Sequence, residues 1–146
     1  MGYPIGRLGR RVIVRAYQEA GAADRFVVGT GHLLLGLMHD DGAVGSLLGG
    51  RGFSLEAARA AVEAEVERGG EPRRRPGRPV LSIRAMRALA AAGGRAKARH
   101  ARWVAPQDIL VALVSEEAST AGRALTGMGV DVASLQEGLP PDDEER

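Results

Sequence analysis

The chain has 146 residues, with 20 Lys and Arg against 18 Asp and Glu, a net charge of +2 and no cysteine. The absence of cysteine excludes disulfides, thiolate metal sites and cysteine nucleophiles, and a chain of this length can bury about two-thirds of its unfolded surface without such staples. Lys97 is the single lysine and the aromatic side chains are confined to Tyr3, Tyr17, Phe26, Phe53 and Trp103, so the core must be Leu, Val, Ala and Ile, which favours close-packed helices. The net charge is too small to indicate nucleic-acid binding by itself. No apolar run reaches signal-peptide or membrane-span length, so the expectation is a soluble cytoplasmic protein.

Helical spacing of Leu8, Val12, Ile13, Ala16, Tyr17 and Ala20 predicts a first helix over Arg7–Ala22, ended at Gly21. Phe26–Thr30 reads as an extended connection that delivers Thr30 as an N-cap. Leu33, Leu34, Leu35 and Leu37 then mark a short apolar helix over Gly31–Met38, broken by Asp40-Asp41-Gly42. Ala43–Leu48 is a third helix, and Ser54 caps a fourth over Leu55–Arg68. Residues 69–79, with three prolines, a run of arginines and no apolar residue, read as a flexible linker.

The same order then returns. Ile83, Met86, Leu89 and Ala90 predict a helix over Leu81–Ala98, and Pro106 suits the first position of a helix carrying Ile109, Leu110, Val111, Leu113 and Val114. Ala118–Thr126 and a last helix through Leu135 follow, and residues 140–146 are a solvated acidic tail. Val28-Gly29-Thr30-Gly31-His32-Leu33 aligns with Val104-Ala105-Pro106-Gln107-Asp108-Ile109, and Leu47–Leu55 aligns with Ala124–Val132. The expected fold is therefore all-α: eight helices as a pseudo-two-fold double four-helix repeat, with repeats over 1–68 and 80–139.

Gly29-Thr30-Gly31-His32-Leu33-Leu34-Leu35-Gly36-Leu37 resembles the G-T-E-H-[IL]-L-L-G-L signature of the Clp chaperone N-terminal repeat, and Arg10–Val14 and Leu47–Phe53 follow in that repeat's order. The resemblance covers about Arg7 to Leu139 and is sharper in the first copy than in the second. It implies a non-catalytic receptor domain that docks adaptors and clients for an ATP-driven unfoldase. The chain carries no G-x-x-x-x-G-K-[ST] phosphate loop of its own. The family's phosphoarginine-reading glutamates fall here on Gly31 and Gln107, which cannot pair a guanidinium as a carboxylate does, so that recognition is expected to be lost or much weakened. The family's cyclic-peptide antibiotic site falls on Gly2, Arg10, Val14, Tyr17, Leu81 and Met86, where Gly2 and Leu81 replace phenylalanines.

Candidate partner-binding residues are Arg7, Arg10, Arg11, Val14, Tyr17, Leu81, Arg84, Met86 and Arg87, converging on a groove between the repeats' first helices, basic around an apolar floor. Such a groove suits an acidic or amphipathic peptide from a Clp unfoldase, its adaptors or its clients, with the chain acting as adaptor, competitor or decoy. Sequestration of a cyclic peptide is the alternative, and nucleic-acid binding through Arg73, Arg74, Arg75 and Arg78 a weaker one. His32 and His39 stand two turns apart, too far to share one ion. His32 is expected to pack or cap within the repeat and Trp103 to pack in the core. No nucleophile–base arrangement, metal site or cofactor cradle is expected.

Overall fold

The leucine run that opens the apolar motif is wholly withdrawn from water: Leu33, Leu34 and Leu37 show no exposure at all. Burying each side chain contributes about 1.5–3 kcal/mol, and the computed structural model, which describes residues 2–39, 42–70 and 77–138, wraps the remaining elements around this run. The order is α1 (Arg7–Ala22), β1 (Val27–Val28), α2 (Thr30–Met38), α3 (Ala43–Gly50), α4 (Leu55–Arg68), β2 (Val80–Leu81), α5 (Ile83–Ala98), α6 (Pro106–Val114), α7 (Thr120–Gly127) and α8 (Val132–Glu137). The linker's Arg73–Arg75, Asp40, Asp41 and the acidic tail lie outside the described residues.

The two copies correspond element by element. Helices α1 and α5 each have 16 residues, α2 and α6 have 9, and α3 and α7 have 8. Only the last pair differs: α4 has 14 residues and α8 has 6. Packing of α1 on α2 is matched by α5 on α6, and α2 reaches both α6 and α7 in the other copy. The repeat register holds in backbone detail. Asp24 and His100, equivalent residues after α1 and α5, both adopt a left-handed conformation at φ 58° and 59°. The following N–H groups, of Arg25 and Ala101, bond back to Ala20 and Ala96.

The copies are stitched together by reciprocal strand pairing. Val28 pairs in parallel with Leu81, and the equivalent Val104 pairs with Ile5. Ser82 N–H donates to the Val28 carbonyl, and Gly6 N–H donates to that of Val104. Each copy's connection thus lies against the lead-in to the other copy's first helix, which is the pseudo-two-fold relation expected from the repeat.

Four local expectations are corrected. Leu81 belongs to β2, and α5 starts at Ile83 with Ser82 as its cap, its hydroxyl accepting from Ala85 N–H. Thr30 is the first residue of α2 with Gly29 in the cap position, and its Oγ1 accepts instead from Ala121 N–H in α7. The left-handed residue ending α1 is Asp24, not a glycine, and Gly21 remains inside the helix. Trp103 is only half-buried and stands outside the core cluster. Ser54 does cap α4, accepting from Ala57 N–H, and Pro106 opens α6. Among the described residues no helix is long and apolar enough to cross a membrane.

Candidate binding surface

The reciprocal strands leave a depression beside each first helix. The first, about 710 Å3, is lined by Ile13, Val14, Tyr17 and Gln18 of α1 with Arg78 and Pro79 of the lead-in to β2. The second, about 580 Å3, includes Leu89, Ala90, Gly93 and Gly94 of α5 with Gly2 and Tyr3 of the chain's lead-in. Each residue of the first pocket has its repeat partner in the second, in that order. They are one site built twice.

The two versions exchange their bulk. In the first, a tyrosine comes from the helix (Tyr17) and a proline from the lead-in (Pro79). In the second, the helix gives Gly93 and the lead-in gives Tyr3, whose Cβ stands 3.1 Å from where a Gly93 side chain would begin. A larger residue at that approach would make Tyr3 give way by a few tenths of an ångström. The Tyr3 hydroxyl donates to the Ala101 carbonyl, which fixes the ring across α5. The second pocket also holds Met86 and Lys97.

Candidates from the sequence distribute over this surface as follows. Val14 and Tyr17 line the first pocket and Met86 the second. Leu81, in β2, is half-buried and packs on the core. Arg7, Arg10, Arg11 and Arg84 are exposed but line neither pocket, and Arg84 lies 3.6 Å from Glu116. Arg87 borders a separate pocket of about 400 Å3 with Arg95 and Glu116, between α5 and α6. Large apolar side chains are nonetheless left in water here: Ile83 is 66% exposed, Val14 54%, Met86 50% and Val80 47%. These exposed apolar groups lie on α1, β2 and α5, and the same two helices carry the exposed Arg7, Arg10, Arg11, Arg84 and Arg87. Gly2 was named with the family's cyclic-peptide site, whereas the walls made by Arg78 and Pro79 were not foreseen; carrying Val14 and Tyr17 through the repeat register to Ala90 and Gly93 would have revealed the twin pocket.

The positions matching the phosphoarginine glutamates are closed. A Cβ at Gly31 would stand 2.6 Å from Val62 Cγ1 and 2.9 Å from Thr120 Cγ2, so the space is already filled by α4 and α7. Gln107 is buried at the start of α6.

Polar groups below the surface are structural in arrangement. Glu19 on α1 is buried and accepts from Arg59 Nε and Nη2 of α4, each at 2.8 Å, and pairs with His39 at 2.8 Å. The Arg59 pairing holds the Glu19 carboxyl far below the usual range, at about 2, against the opposing effect of burial, with His39 adding to the stabilisation. His32 Nδ1 accepts from Gly29 N–H at 3.0 Å, as Asp108 accepts from Ala105 N–H at 2.9 Å in the second copy. Asp108 is further bound by Arg99 at 2.9 and 2.7 Å. Among the described residues no group of three metal-binding side chains comes together.

The family model of the Clp repeat (R) N-terminal domain matches residues 9–128. Among solved structures, the N-terminal domain of the caseinolytic protease associated chaperone ClpD from Arabidopsis thaliana superposes with a TM-score of 0.75 at 28% identity, covering 92% of this chain and 94% of that one. The Hsp104 N-terminal domain from Candida albicans gives a TM-score of 0.72 at 16% identity, covering 93% and 89%, a likeness of fold alone. Double repeat, reciprocal strands and sequence match agree, and the chain belongs to the Clp N-terminal repeat family.

Proposed function

We propose that this chain is a non-catalytic protein- and peptide-binding module that serves a separate Clp unfoldase as adaptor, competitor or decoy. Clp N-terminal domains are in general binding modules for clients and adaptors of Clp systems, and the twice-built pocket beside α1 and α5 is the observation that carries the reading to particular residues. An amphipathic segment would place apolar side chains against Val14, Tyr17 and Met86 while its acidic groups meet the surrounding arginines. Recognition of phosphoarginine is lost or much weakened, a reading supported by the filled space at Gly31 and the neutral, buried Gln107.

The test is affinity capture with the full chain, with and without crosslinking, alongside Val14→Asp and Met86→Asp. Both positions are half exposed, so the charge falls on the surface and leaves the core alone. Capture of a Clp component or its client, weakened at least about tenfold by either change, is the expected result. Capture of neither, or capture indifferent to both changes, refutes the proposal. Retention of RNA by the wild-type chain would favour the arginine linker instead.

A further inference from the structure

On the far side of the first copy, the end of α1, the start of α2 and the middle of α4 enclose a pocket of about 370 Å3. Ala22, Ala23, Leu35, Ala60 and Val62 make its apolar walls, and His32 and Glu63 are among its polar lining residues. His32 is 2% exposed, and its ring orientation is fixed: Nδ1 accepts from Gly29 N–H, so the neutral ring carries its proton on Nε2. Nε2 is buried and has no hydrogen-bond partner. Burial holds the His32 pKa below its usual value, so the ring stays neutral at physiological pH.

Glu63 is the complement. Its Oε1 accepts from both Nε and Nη2 of Arg25, and at 34% exposure the carboxylate keeps lone pairs for a further donor. One pocket is therefore lined by the residue of an unpaired donor and by a carboxylate that can accept. The second copy shows that this place in the fold can be closed: its Asp108 binds the cap N–H and is saturated by Arg99 and Arg95. A buried donor left unpaired costs free energy that any fitting acceptor recovers.

We propose that this pocket is a binding site for a neutral carboxamide, its carbonyl oxygen accepting from His32 Nε2–H and its amide N–H donating to the Glu63 carboxylate. A carboxylate would meet Glu63 and Glu19 with like charge, the Arg59 guanidinium in the wall being already engaged by Glu19, and a protonated amine offers the histidine no acceptor. The site is separate from the twin pockets, and the inference does not rest on their proposed role.

The experiment uses the full chain labelled with 15N-histidine, following His32 Nε2 by two-bond proton–nitrogen spectra during titration with propionamide, propionate or propylamine. A saturable shift with propionamide, about tenfold weaker or absent with the other two, is expected. Ala60→Trp, at an exposed wall position, should keep the helical circular dichroism and abolish the shift. A crystal grown at saturating propionamide supplies a second reading independent of that variant, with the amide expected between His32 and Glu63. No saturable shift, an equal response to propionate or propylamine, an undiminished response in a folded Ala60→Trp, or a crystal showing only water at Nε2 each overturns the proposal.

Discussion

Glu19 shows how much one buried carboxylate can hold. It joins α1 to α4 through a two-pronged bond to Arg59 and reaches His39 at the end of α2. Its folded pKa of about 2 lies below the ordinary value of 4.5, so its contribution to stability is fully present above about pH 4.5 and is lost as the pH falls toward 2. With Arg59 half exposed, solvent screening reduces that contribution to about 2 kcal/mol. Glu19→Gln should therefore lower the unfolding free energy by about 2 kcal/mol at pH 7 and by almost nothing at pH 2. Denaturant melts across that range decide it, and a deficit that stays constant with pH removes Glu19 from the account. Gly31 is the opposite case, where the absence of a side chain is structural. Gly31→Glu would drive a Cβ into Val62 and Thr120, so it should cost about 1–3 kcal/mol and still not create phosphoarginine binding. Titration calorimetry that found tight phosphoarginine binding to a well-folded Gly31→Glu would contradict this.

At the scale of elements, local sequence rules succeed where an element's boundary is set by its own residues. Periodicity placed α1 and α4 with their observed ends, and Ser54 was legible as a cap because its hydroxyl bonds three residues ahead. Thr30 failed as a cap for a physical reason: its hydroxyl is taken by Ala121 N–H of α7, a donor distant in sequence. Leu81 looked helical because its apolar side chain continues the α5 stripe, yet its backbone is claimed by Val28. The pockets were illegible for the same cause. Their walls are half helix and half lead-in, and only the cross-copy strand pairing brings the two together. Caps also separate the copies: α5 has Ser82 where α1 has Gly6, which offers no side chain. Ser82→Ala should cost about 1 kcal/mol and Ser82→Gly only a few tenths, measured by thermal or chemical denaturation. Equal losses for the two would mean that the hydroxyl matters through something other than the cap.

For the whole molecule, the repeat poses the question of whether one copy is a folding unit. Each has roughly 70 residues, close to the size at which a single core becomes marginal. The contacts between copies are not peripheral either. Val28 and Val104, both fully buried, pair only with the other copy's lead-in. Helix α2, which carries the leucine run, packs on α5, α6 and α7 of the second copy as well as on α1, α3 and α4 of its own. Thr30 and Arg51 of the first copy bond to Ala121 and Ser134 of the second. Separating the copies would expose one flank of α2 and unpair both short strands at once, a loss that two cores of this size do not survive. Fragments 1–70 and 77–146, produced apart, should therefore be largely unfolded by circular dichroism. Mixed in equal amounts they should regain helix with a midpoint that rises with concentration, because folding has become association. A fragment that melts cooperatively by itself, with a midpoint independent of concentration, would show that the copy rather than the pair is the unit of this fold.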